Sequence, residues 1–180
     1  ESTPVLNGES VDGGTELAIT ATAGDGYRLV SLKVNGEDFT SGSSLTIDKN
    51  LTVQAVFIRV FDVLISSGSG GSIKVLDNDT DVLSGSDVDK GGILTISATA
   101  QSGYRLFSLK VNDVDFVNEG QLVVNEDVKI VASFVKIYNV EISFGGFGTI
   151  SVLNGNSEIL SGTTVDEGSV LKISATPELN

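Results

Sequence analysis

The 180-residue chain contains no histidine, cysteine, methionine or tryptophan, and only two prolines. Without cysteine there is no thiolate nucleophile and no disulfide; without histidine the usual general base and the commonest metal ligand are missing. Haem ligation and thiolate or imidazole metal sites go with them, and no cofactor is expected. Positive charge is also scarce, with 11 Lys+Arg against 24 Asp+Glu and a net charge of −13. Such a surface repels a polyanionic duplex and an anionic bilayer, so no nucleic-acid partner is expected. No apolar run approaches the roughly 18 residues of a spanning helix, so no membrane insertion is expected, and no signal peptide is visible. The chain opens on Glu1 and reads as a mature or excised piece of something longer. What is present is 21 glycines and 40% hydrophobic residues, which is enough to fold and rich in turns without low complexity.

Self-comparison gives a period of 77. Residues 26–35 read GYRLVSLKVN and residues 103–112 read GYRLFSLKVN. From Thr22 to Asn35, 11 of 14 positions equal their partners 77 later. Val11-Asp12-Gly13-Gly14 becomes Val88-Asp89-Lys90-Gly91 and then Val165-Asp166-Glu167-Gly168. Tandem copies at a fixed spacing are the mark of a repeat architecture. The expected division is 1–60, a repeat lacking its first hairpin, then a complete repeat at 61–137, then a truncated one at 138–180. Their net charges are −4 (8 acidic, 4 basic), −5 (11 and 6) and −4 (5 and 1), so every repeat is acidic.

Within a repeat the apolar residues alternate with period two, as in half-buried strands. The complete repeat predicts six strands: Phe61–Ser66, Ile73–Val75, Leu94–Thr99, Tyr104–Val111, Leu122–Val124 and Val128–Phe134. Gly68–Gly71 and Asn35-Gly36 are hairpin turn signals. No helical period is present, so the expected fold is all-β, tandem small β-sandwich-like modules of 77 residues, with β-grasp-like modules as the alternative. The junctions read LTVQAVFIRVFDVLIS and VKIVASFVKIYNVEIS, with no Gly, Pro or Ser-rich linker. A last strand that leads straight into the next repeat's first strand predicts a semi-rigid connection.

The sequence Gly-Tyr-Arg-Leu-x-Ser-Leu-Lys-Val-Asn, the glycine-rich hairpins Ser67–Gly71 and Gly145–Gly148, and the closing Ala55-Val56-Phe57 and Ala132-Ser133-Phe134 resemble the divergent internalin B-repeat family. Many members carry Trp where Leu32 and Leu109 stand here. The resemblance covers essentially the whole chain and brings no catalytic residues. It implies a bacterial, extracellular or cell-surface location and stalk, spacer or adhesive modules of large secreted proteins.

Each candidate for chemistry has a plainer reading beside it. Asp77, Asp79 and Asp81 alternate like the start of a calcium loop, but an EF-hand needs Gly at the sixth position and Glu at the twelfth, where Val82 and Val88 stand. A solvated acidic turn is the expected reading, and no metal site. Asp12, Asp89 and Asp166 each precede a glycine by two and are read as caps of their own turns. Ser31/Lys33 and Ser108/Lys110 are read as surface pairs on a strand. Tyr27, Tyr104, Arg28 and Arg105 recur in the motif and are read as core or junction contacts. Phe144 and Phe147 stand where the preceding repeat has Ser67 and Gly70, so the third hairpin carries two aromatics as candidates for contact with a ligand or with the preceding module. No enzymatic activity is expected. The leading function is a structural stalk; the alternative is an adhesive module for host protein or glycan, or an accessory domain of a secreted enzyme. The incomplete first and third repeats also suggest head-to-tail self-association.

Overall fold

Period-two alternation becomes strand in all three repeats. The computed structural model describes residues 4–178, and no helix occurs among them. The first repeat contains β1 (Glu16–Ile19), β2 (Tyr27–Val34), β3 (Glu37–Asp38) and β4 (Ser43–Thr46), and leads into β5 (Val53–Ser67). The second contains β6 (Gly71–Asp77), β7 (Thr80–Asp81), β8 (Ser86–Asp89), β9 (Ile93–Ala100), β10 (Tyr104–Val111), β11 (Val114–Asp115) and β12 (Gly120–Val123), and leads into β13 (Val128–Val140). The third contains β14 (Gly148–Asn154), β15 (Ser157–Glu158), β16 (Thr163–Asp166) and β17 (Leu171–Pro177).

Two compact units form, one of Glu1–Phe61 with Asp87–Lys90, the other of Asp62–Ser86 with Gly91–Asn180. In the first, β1 pairs antiparallel with β4, and β2 pairs antiparallel with the first half of β5, Leu32 opposite Ala55. In the second, the complete repeat builds one sheet in the order β12-β9-β6-β7 and another from β11, β10, β13 and the second half of β5. Between them lie Val63, Val75, Leu94, Ile96, Val124 and Ile130, all essentially inaccessible. Closing such a core removes apolar surface from water, the main favourable contribution to folding.

Three strands beyond the six expected appear. β7 and β11 are two-residue ladders returning from Asn78-Asp79 and Asn112-Asp113, whose φ values of 45°, 66°, 48° and 65° give the tight two-residue turn that hairpins favour. β8 was hidden because Ser-Asp-Val-Asp carries a single apolar residue. The fusion of last and first strands is confirmed: β5 runs for 15 residues and β13 for 13. β5 is longer because its second half pairs parallel with β13, Val63 opposite Val128 through Ser67 opposite Ala132.

The glycines of the first hairpin do more than turn. Gly70 has φ of 93°, and a Cβ there would overlap the Tyr104 ring; one on Gly71 would overlap the ring of Phe134. Both aromatic rings of the motif thus rest on bare backbone.

Candidate functional site: the strand shared by two repeats

The feature that recurs at the 77-residue spacing and joins one repeat to the next is an ion pair laid across a shared strand. Arg105 stands on β10, opposite Val135 of β13, and Asp166 stands on β16, opposite Ile137 of the same strand. β10 and β16 lie on opposite edges of β13: the Ile137 N–H donates to the Gly103 carbonyl on one side, and the Lys136 carbonyl accepts from the Glu167 N–H on the other. Residues 135 and 137 share a face of the pleat. The Arg105 side chain therefore crosses β13 on that face, and its Nε donates to Asp166 Oδ1 at 2.6 Å while Nη2 donates to Oδ2. The fork on the carboxylate is bidentate, a geometry that arginine provides and lysine cannot.

The first unit contains the same arrangement. Arg28 stands on β2 opposite Ile58, the Val60 N–H donates to Gly26, the Lys90 N–H donates to Arg59, and Arg28 forks onto Asp89 through Nε and Nη2. In both pairs the partners are 61 residues apart. Asp12, at the same position of the first repeat, lies exposed.

Hydrogen bonding to the guanidinium holds the carboxyls of Asp89 and Asp166 below the ordinary aspartate range, and in return raises Arg28 and Arg105; partial desolvation opposes each shift and is outweighed. A second repeated contact lies on β5 and β13. Arg59 sits over the Phe61 ring at 4.8 Å and Lys136 over the Tyr138 ring at 5.0 Å. The Tyr138 hydroxyl also donates to Glu167 at 3.2 Å, and the Lys136 ammonium is raised chiefly by its bond to Tyr138.

Two of the three aspartates read as turn caps, Asp89 and Asp166, thus serve differently. The turn is closed by backbone, the Ser169 N–H donating to the Asp166 carbonyl at 3.1 Å, which frees the carboxylate for arginine. Of the recurring motif residues, Arg28 and Arg105 are the junction contacts. A signal for this existed in the sequence, since both arginines are followed by an aspartate 61 positions on. The local explanation of Asp-x-Gly as a turn concealed it.

The remaining candidates stay apart from this site. Asp77, Asp79 and Asp81 occupy the β6–β7 hairpin, where Asp81 pairs with Lys74 at 3.6 Å and Asp77 accepts from Asn78 at 3.1 Å. Among the described residues no three carboxylates converge as a metal site would require. Lys33 and Lys110 pair with Asp38 and Asp115 at 3.6 Å, and Ser108 bonds Ser133, so the Ser–Lys pairs are separate surface contacts. Phe144 is 62% exposed and Phe147 81%, before and at the edge of β14.

A chain made of tandem all-β modules with a strand shared between neighbours is a repeat protein by its architecture. The model of the divergent InlB B-repeat domain matches residues 2–60 and again 61–137, and the chain belongs to that family of bacterial extracellular repeat domains. Neither the comparison with curated proteins nor that with solved structures returned a match.

Proposed function

We propose that the chain is a non-catalytic, semi-rigid spacer of a bacterial surface or secreted protein, holding other domains at a set separation. The observation that carries this reading is β13. Its residues 130–136 pair with β10 of the second repeat and residues 137–140 with β16 of the third, with no unpaired residue between. A linker of free residues would allow wide rotation, whereas a strand hydrogen-bonded up to the boundary on one side and from it on the other allows little. The acidic surface keeps such an array soluble and free of anionic partners. Small-angle scattering on the chain tests the reading: a single narrow distribution of dimensions is expected, and a broad one typical of flexibly tethered modules overturns it.

An adhesive module is the second reading, favoured by the exposure of Phe144 and Phe147 on the third hairpin alone. Isothermal titration with host-surface proteins and glycans checks it. Binding that vanishes in Phe144→Ser/Phe147→Gly, the residues of the preceding repeat, supports it, and binding untouched by that change refutes it.

A further inference from the structure

We infer that the Arg105–Asp166 pair is an orientation lock, a contact that fixes the angle between the second and third repeats while contributing little to their folding. The inference rests on the spacer reading above. Three observations carry it. The pair joins residues of two repeats, and it does so across the one strand both repeats share, tying the three strands β10, β13 and β16 into a crosspiece. Bending or twisting β13 at Lys136–Ile137 changes the separation of its two outer neighbours, so a bidentate link between them opposes that motion. The pair also recurs as Arg28–Asp89 with the same backbone bonds, each shifted by 77, although the residues around it change from Phe61 to Tyr138 and from Arg59 to Lys136.

Its position in solvent decides which effect it has. The Arg105 and Asp166 side chains are 45% and 33% exposed. Ion pairs in such surroundings add little to global stability, because water already solvates both groups well. Geometry is another matter: a fork with two parallel bonds restricts direction more than it lowers energy. Arg105 stands opposite Val135 and Asp166 opposite Ile137, so the pair spans the two junction residues of the crossed face. Arg105 and Asp166 are thus positioning residues of the spacer.

The chain has no cysteine, so a pair introduced at two exposed positions, Val117→Cys in the second repeat and Glu158→Cys in the third, can be spin-labelled without interference. Distance distributions are compared among the wild type, Arg105→Gln, Asp166→Asn and the double variant. The lock requires a narrow distribution for the wild type, a broader one for each single variant, and no further broadening in the double. Raising salt to about 1 M, where screening acts over roughly 3 Å, broadens the wild type and leaves Arg105→Gln unchanged. Melting temperature moves by less than roughly 4 °C in every variant. An unchanged distribution in Arg105→Gln overturns the lock, as do single effects that add in the double variant or a large loss of melting temperature with the distribution intact. A wild type that is itself broad refutes the spacer reading and the lock together; a wild type as narrow as its variants refutes the lock alone.

Discussion

The first and second repeats use nearly the same residues and reach different degrees of closure. Leu94 and Ile96 of β9 are completely buried, while their counterparts Leu17 and Ile19 of β1 are only half-buried. The difference lies in neighbours. β9 is paired on both edges, by β12 and by β6, whereas among the described residues β1 is paired by β4 alone. Within these 180 residues the first repeat has no counterpart of Phe61–Asp77, and a cavity of about 310 Å³ lies among Val34, Phe39, Leu45, Ile47 and Leu51. In the second repeat the corresponding Val128 meets Val63 from that hairpin. Alternation alone therefore makes strands, and the hairpin is what makes a core.

Truncation experiments break this comparison most sharply. Ile96→Ala is expected to cost about 2–5 kcal/mol in denaturant unfolding, the range for deleting a fully buried aliphatic side chain, and Ile19→Ala a small fraction of that. Equal losses would mean that the two β-strands are equally enclosed in solution. Next comes Gly70→Ala, which places a methyl against the Tyr104 ring at a positive φ and should cost about 1–3 kcal/mol; Gly146→Ala, with open space around it, should cost less. Hydrogen exchange should then separate two equivalent amides: that of Gly68, which donates to the Ala132 carbonyl of β13, exchanges slowly, and that of its counterpart Gly145 exchanges fast because β13 stops at Val140.

The pH dependence is smaller and has a definite sign. Asp89 and Asp166 have their folded-state pKa depressed, so the stabilisation by both pairs is present above the ordinary aspartate value of about 3.9 and is lost as pH falls through the lower folded-state value. Label distances as in the experiment above should stay constant from neutral pH to about 4.5 and spread only below the ordinary aspartate range; spreading already near neutrality would contradict the shift.

Much of the architecture was legible because the repeat is close to exact. The 77-residue offset, the absence of linkers and the strands around Leu94–Thr99 and Tyr104–Val111 all follow from alternation that one sequence displays by itself. β8 and β16 were not legible, since Ser-Asp-Val-Asp and Thr-Thr-Val-Asp have one apolar residue each and pair only because β5 and β13 offer an edge. The role of Asp89 and Asp166 was hidden for the same reason, as a tertiary partner 61 residues away leaves no local trace. Gly70 was read as a turn residue, correctly, yet its contact with Tyr104 depends on packing that the hairpin sequence does not contain.

The strand shared by two repeats has a mechanical consequence. In the proposed spacer role, a pull on the chain passes along β13, and the ladders with β10 and β16 run parallel to it. Their hydrogen bonds are then loaded in shear, many at once, and cannot be opened singly from one end. Resistance to rupture under force depends on such unfolding barriers and not on equilibrium stability. A module with a modest core can in this way bear loads out of proportion to its size, because the connection between modules is itself made of sheet.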